Sequence, residues 1–118
     1  MAERRWRVRL GAAAELDFAN ILRWTTENFG LRQSRVYRDT LVQAIGELAD
    51  GPNVAGSMAR DEIIAGLRTL HVARRGRRGS HFLMYRAAPN STIEIVRILH
   101  DKMDLRRHVP SAPDDSTE

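Results

Sequence analysis

Two helical stripes joined through one glycine constrain the fold of this 118-residue chain more than any other feature. From Ala12 to Phe29, the residues Ala14, Phe18, Ile21 and Trp24 or Thr25 recur at i, i+4, i+7 spacing, an apolar stripe that packs on one side. Glu15 and Asp17 fall in the first turns, where the helix dipole favours negative charge. Arg32 to Asp50 repeats the pattern with Tyr37, Leu41, Ala44 or Ile45, and Leu48, with Val36 at the edge. Gly30 is a helix-ending glycine after Phe29, and Gly51-Pro52 stops the second helix. A connection this short predicts an antiparallel helical hairpin.

The remainder reads as strands. Arg5 to Leu10 alternates, with Trp6, Val8 and Leu10 on one face and Arg5, Arg7 and Arg9 on the other. Asn53 to Asp61 is a loop, and a strand around Leu67–Val72 follows the interruption at Gly66. Ser80 to Arg86 is apolar on both faces through Phe82, Leu83, Met84 and Tyr85, the mark of a central strand. Ala88-Pro89-Asn90-Ser91 is a turn, and Thr92 to Leu99 is a buried strand that stops at a charged cluster. The order predicts an α+β domain: an N-terminal strand, the hairpin, then a three-stranded antiparallel meander, all in one sheet packed on the hairpin. Residues 1–110 form a single domain by length, and Ser111 to Glu118, rich in Pro, Asp and Ser, reads as a disordered tail.

Composition narrows the class. There are no cysteines, which excludes a disulfide framework and thiolate metal sites and fits a reducing cytoplasm. The start, MAERRWRVRL, lacks the apolar core of a secretory signal, and no apolar stretch is long enough to span a membrane. The chain is therefore expected in the cytoplasm. Net charge is +4, and Lys102 is the only lysine among 19 basic residues. Arginine forks bind carboxylate and phosphate, so the partner is an acidic protein segment or a nucleic acid, unless the genome simply favours arginine.

No Walker loop, GxGxxG, HExxH or GxSxG motif is present, and the histidines His71, His81, His100 and His108 lack metal-ligand spacing. No cofactor or metal is expected. His71 and His81 could sit on adjacent strands of the hairpin as part of a site, or be ordinary strand residues. Arg74, Arg75, Arg77 and Arg78 crowd one hairpin loop, either as a phosphate site or as a charged, solvated tip. His100 to His108 could do acid–base work on RNA, with Arg68, Arg86 or Arg97, Lys102 and His108 around the phosphate. The spacing permits that site without requiring it.

The motif A-x-x-D-F-x-x-I-L-x-W-x-x-x-x-F-G over Ala14–Gly30, the L-x-x-x-P-x-x-x-G stretch from Leu48 to Gly56, and Gly66-Leu67-Arg68 occur in this order. F-L-M-Y at Phe82–Tyr85 and I-V-R-I-L-H-D-K-M-D over Ile95–Asp104 complete the series. Over residues 5–110 this pattern resembles the RelE/ParE superfamily of type II toxin–antitoxin toxins. The long hairpin and the histidine-bearing ending are most similar to the ParE branch. The mRNA-cleaving branch places a basic residue where Phe82 stands, which departs from that pattern; Lys102 keeps the charge after the last strand, and His108 substitutes for a terminal tyrosine or histidine.

The resemblance implies a plasmid-stabilisation toxin that poisons DNA gyrase without catalytic residues of its own. It implies neutralisation by a cognate ParD-like antitoxin with a ribbon-helix-helix end and an acidic, apolar tail. The residues expected to meet partners are Arg74, Arg75, Arg77, Arg78, Arg97, His100, Lys102, Arg106 and Arg107. The alternatives are a ribosome-dependent mRNA-cleaving toxin of the same fold, acting through Arg68, Lys102 and His108, and a basic nucleic-acid-binding module.

Overall fold

The computed structural model describes residues 5–108. The tail expected from Ser111 to Glu118 lies outside these residues. Strand β1 (Arg7–Leu10) leads through Gly11 into helix α1 (Ala12–Phe29), and Gly30 alone separates it from helix α2 (Leu31–Glu47). Gly30 takes φ +94°, a conformation open to glycine and strained for other residues, so the one-residue connection needs it. A 3-10 turn at Leu48–Asp50 finishes the second helix, where the sequence pattern had carried a helix through to Asp50.

Four strands follow: β2 (Met58–Ala59), β3 (Arg68–His71), β4 (His81–Ala88) and β5 (Thr92–His100). The sheet order is β1-β5-β4-β3-β2, with β1 parallel to β5 and the other neighbours antiparallel. The antiparallel part therefore has a strand beyond the expected meander. Its two residues lie in the stretch read as a loop, too short to show a period.

The hairpin covers one face of the sheet. Leu41, Ala44 and Leu48 from α2 and its turn, with Ala14 from α1, pack on Leu70, Leu83, Tyr85, Ile93, Ile95 and Ile98. At the end of the α1 stripe, Thr25 is the buried residue, with its hydroxyl on the Ile21 carbonyl at 2.7 Å, while Trp24 faces out. A second cluster, Leu67, Met84, Val96 and Leu99 with Ile63 and Leu105, covers part of the opposite face. The apolar character of β4 on both faces is thereby accounted for.

A bulge in β5 makes both clusters possible. Tyr85 pairs with Ile95 but Met84 pairs with Arg97, which leaves Val96 as an extra residue. Ile95 and Ile98 then both face the hairpin although they are three residues apart, and Val96 and Leu99 face away. The bulge also re-aims Arg97 toward α1.

Candidate functional site

Asp17 ties the hairpin to β5. Its carboxylate accepts hydrogen bonds from Arg97 Nε at 2.8 Å, Arg97 Nη2 at 2.9 Å and the Ile98 backbone N–H at 2.9 Å. The bonded carboxylate holds the Arg97 guanidinium well above its ordinary pKa. Arg97 Nε and Nη2 are thus engaged within the fold, while the side chain still lines the cleft beside Asp17.

Next to this pair, the hairpin and the end of the sheet diverge into an open cleft of about 1350 Å³. Trp24, Phe29 and Val36 form its helical wall, and each is more than half exposed. Trp24 and Phe29 meet edge to face with ring centroids 5.6 Å apart. Met103, just past β5, stands opposite. Tyr37, His81 and His100 line the floor, and Arg77 and Arg78 stand on the rim. Neither rim arginine makes an ion pair among the described residues.

The floor is a hydrogen-bonded chain. The Tyr37 hydroxyl accepts the Ser80 N–H at 3.0 Å and lies 2.6 Å from His81 Nδ1. Donation of the phenolic proton to Nδ1 satisfies both groups and fixes His81 as the neutral tautomer protonated at Nε2. Gly79 allows this approach, because a Cβ there would collide with Val72 and press on Tyr37. The His81 ring also meets His100, edge to face at 5.3 Å. Burial, and then the neighbouring His100, push the His81 pKa down to about 4 from 6.5.

A pH dependence follows, with a definite sign. Between about 4 and 6.5 the unfolded chain binds a proton at His81 that the folded chain rejects, so stability falls as pH is lowered through that window. Asp101 is lowered as well: the hydrogen bond from His71 takes its pKa below 3.8, so its contribution is lost only at more acid pH, below the His81 window. Denaturant midpoints measured from pH 7 to pH 4 should therefore decline for the natural chain and decline less for His81→Gln. Parallel declines would remove His81 from the account.

His71 is occupied structurally. His71 and His81 do sit on adjacent strands, β3 and β4, with His71 opposite Phe82 and His81 opposite His100 in the register. His71 Nδ1 accepts the Ala73 N–H at 2.9 Å, which leaves Nε2 to donate to Asp101 Oδ2 at 2.9 Å. With both ring nitrogens engaged, His71 has no free lone pair for proton abstraction.

The expected arginine loop divides in two. Arg74 Nε and Arg75 Nε bind the two oxygens of Glu47 at 2.6 and 3.1 Å, pinning the loop to the end of α2, while Arg77 and Arg78 remain at the cleft. Arg106 and Arg107 lie in a 3-10 turn, Leu105–His108, beyond the sheet; Arg107 approaches Asp104 at 3.8 Å. Lys102 is exposed in the preceding turn.

The RNase set is not gathered. Arg68 is level with Tyr85 and, across it, Ile95, and alternation puts it on the face of Leu70, under the hairpin. It binds Ser57 Oγ at 2.7 Å. Leu105 packs with Leu67, Met84 and Val96 on the face turned away from the hairpin, so the 3-10 turn that carries His108 folds back over that face, whereas Arg68 lies on the hairpin side. The cleft wall was the feature missed in the sequence: Trp24 and Val36 were assigned to the packing stripe or its edge, yet they stand exposed.

A two-helix hairpin strapped by Asp17–Arg97 to one face of a five-stranded sheet is the RelE/ParE-like fold. The chain matches, over residues 8–105, the family described as ParE toxin of type II toxin-antitoxin system, parDE, and it belongs to that family. Toxin ParE1 of Mycobacterium tuberculosis (strain CDC 1551 / Oshkosh) is 35% identical over 100 residues, covering 85% of this chain and 94% of that protein. Toxin ParE1 of Caulobacter vibrioides is 29% identical over 101 residues, with 86% and 95% covered. Among solved structures, the chromosomal ParDE TA system from P. aeruginosa contains a chain that shares the fold. It has a TM-score of 0.65 at 18% identity, over 83% of this chain and 98% of that one. Among the described residues, no helix is long and apolar enough to cross a membrane.

Proposed function

We propose that this chain is a toxin that inhibits DNA gyrase and is held inactive by a cognate antitoxin seated in the cleft. The observation that carries the antitoxin part is the cleft itself. Trp24, Phe29 and Val36 leave a large apolar wall in water, beside the unpaired cations Arg77 and Arg78. Exposed apolar surface of that kind marks an interaction site, and a rim of arginine selects an acidic, apolar segment that orders on binding. A ParD-like tail has that chemistry. The gyrase part rests on membership of the ParE family, and the placement of Arg68 and the turn bearing His108 on opposite faces of the sheet favours it over RNA cleavage.

Two assays on the purified chain test the target. Added to gyrase and relaxed plasmid DNA, the chain should block supercoiling, and adding antitoxin should restore it. Added to translating ribosomes, it should leave mRNA intact. A general acid or base contributes about 10²–10⁴-fold. Cleavage at the ribosome that drops a hundredfold in His108→Ala, with gyrase untouched, would replace this reading with the mRNA-cleaving one.

A further inference from the structure

The face of the sheet turned away from the hairpin carries a second charged surface that the cleft does not use. Strand β1 ends the sheet among the described residues, and its Trp6, Val8 and Leu10 pack inward on the core. Alternation therefore turns Arg7 and Arg9 outward, and both are exposed. The register places Arg9 beside Glu94 of β5, and Glu94 beside Arg86 of β4, in one row across three strands.

That row is short of negative charge. Glu94 Oε1 accepts from Arg86 Nη2 at 3.0 Å and Nε at 3.2 Å, and Glu94 Oε2 lies 3.8 Å from Arg9. Two guanidiniums, those of Arg9 and Arg86, share this one carboxylate, and Arg7, two residues along β1 on the same face, has no ion-pair partner among the described residues. The side chains of Arg9 and Arg86 are 62% and 54% exposed, so they keep donors for another anion. None of the large exposed apolar residues belongs to β1, β4 or β5. An apolar peptide tail would find nothing to bury here.

We infer that Arg7, Arg9 and Arg86 form a contact site for the phosphate backbone of duplex DNA, on the face opposite the antitoxin cleft. Three exposed guanidiniums on one strand face, Arg9 and Arg86 flanking Glu94 and Arg7 two residues along β1, outnumber its single carboxylate and suit a line of anions, and phosphate contacts of this kind carry no sequence preference. The alternating arginines also discourage edge-to-edge pairing of β1, but that role involves neither Arg86 nor its alignment with Arg9. The inference does not depend on which enzyme the toxin attacks.

Polarisation of a dye-labelled, mixed-sequence DNA duplex, with the full chain and neither gyrase nor antitoxin present, tests it. With two or three phosphate contacts, affinity should weaken roughly 10- to 40-fold between 50 and 200 mM salt. The triple variant Arg7→Gln, Arg9→Gln, Arg86→Gln should lose most of the binding and nearly all of the salt dependence. Glu94→Gln should bind severalfold more tightly, and it decides the matter if the triple variant does not fold. Arg77→Gln with Arg78→Gln should bind like the natural chain. Unchanged binding in the triple variant and in Glu94→Gln, or loss in the rim variant instead, would overturn the site. So would a row that captures polyglutamate and ignores DNA, which would make it an acidic-protein surface. A chain that binds DNA in this way yet leaves gyrase active would count against the proposed target alone.

Discussion

Asp17→Ala is expected to lower stability by about 2–4 kcal/mol, far more than most substitutions on a helix surface. Among the described residues, Asp17 is the only acceptor for Arg97 Nε and Nη2 and for the Ile98 N–H. The side chains are largely shielded, with Asp17 15% and Arg97 26% exposed. Deleting the carboxylate leaves a partly buried guanidinium and a backbone donor without partners, and such orphaned groups cost more than the bond itself contributed. The melting temperature should drop by roughly 8 °C or more, given 4–8 °C per kcal/mol for a domain of this size. Asp17→Asn separates the parts: it keeps the hydrogen-bond acceptor for Ile98 and loses the charge, and should fall between the two. Arg97→Ala should cost less than Asp17→Ala, because the remaining carboxylate still has the Ile98 N–H. Equal melting curves for all three variants would mean that packing alone holds α1 on β5.

The strap shows where sequence reading reaches and where it stops. Helix α1 was legible to its end residues because its apolar spacing, the following Gly30 and the second stripe all agree. Local signals that agree define an element well. Asp17 was legible only as a charge suited to an early helix turn, because its partners are 80 and 81 residues away. Its real role depends on the β5 bulge, and an apolar run such as Ile93–Leu99 carries no alternation from which an extra residue could be detected. The same bulge sets Arg97 against Asp17 at the edge of the cleft, a pairing that no local pattern announces.

The site was less legible than the fold, for a related reason. Arg74, Arg75, Arg77 and Arg78 are alike in sequence, and only the position of Glu47 at the end of α2 separates the paired arginines from those at the cleft. Trp24 and Thr25 are adjacent, and a helix period cannot decide which enters the core when either satisfies the spacing. The small residue does, and the large one is left in water. A tryptophan more than half exposed in a small basic domain is informative once it is seen.

Replacing that tryptophan should have the largest effect on antitoxin capture. Trp24 stands in the middle of the cleft wall, braced by Phe29, and its ring gives a partner a rigid apolar surface at little entropic cost. Buried tryptophans at the centre of an interface commonly contribute 2–4 kcal/mol, which converts to about 30- to 1000-fold in Kd. Trp24→Ala should therefore weaken antitoxin binding by that factor, mainly through faster dissociation. The fold should barely notice, since a side chain 57% exposed has little core contact to lose, and the change in stability should stay within about 0.5 kcal/mol. Arg77→Ala and Arg78→Ala at the rim should each act differently, slowing association and reducing its salt dependence while leaving dissociation close to unchanged. Surface-immobilised antitoxin with the natural chain and the three variants in solution distinguishes these outcomes directly. A Trp24→Ala protein that dissociates no faster than the natural chain would place the antitoxin elsewhere on the toxin and leave the cleft without its proposed occupant.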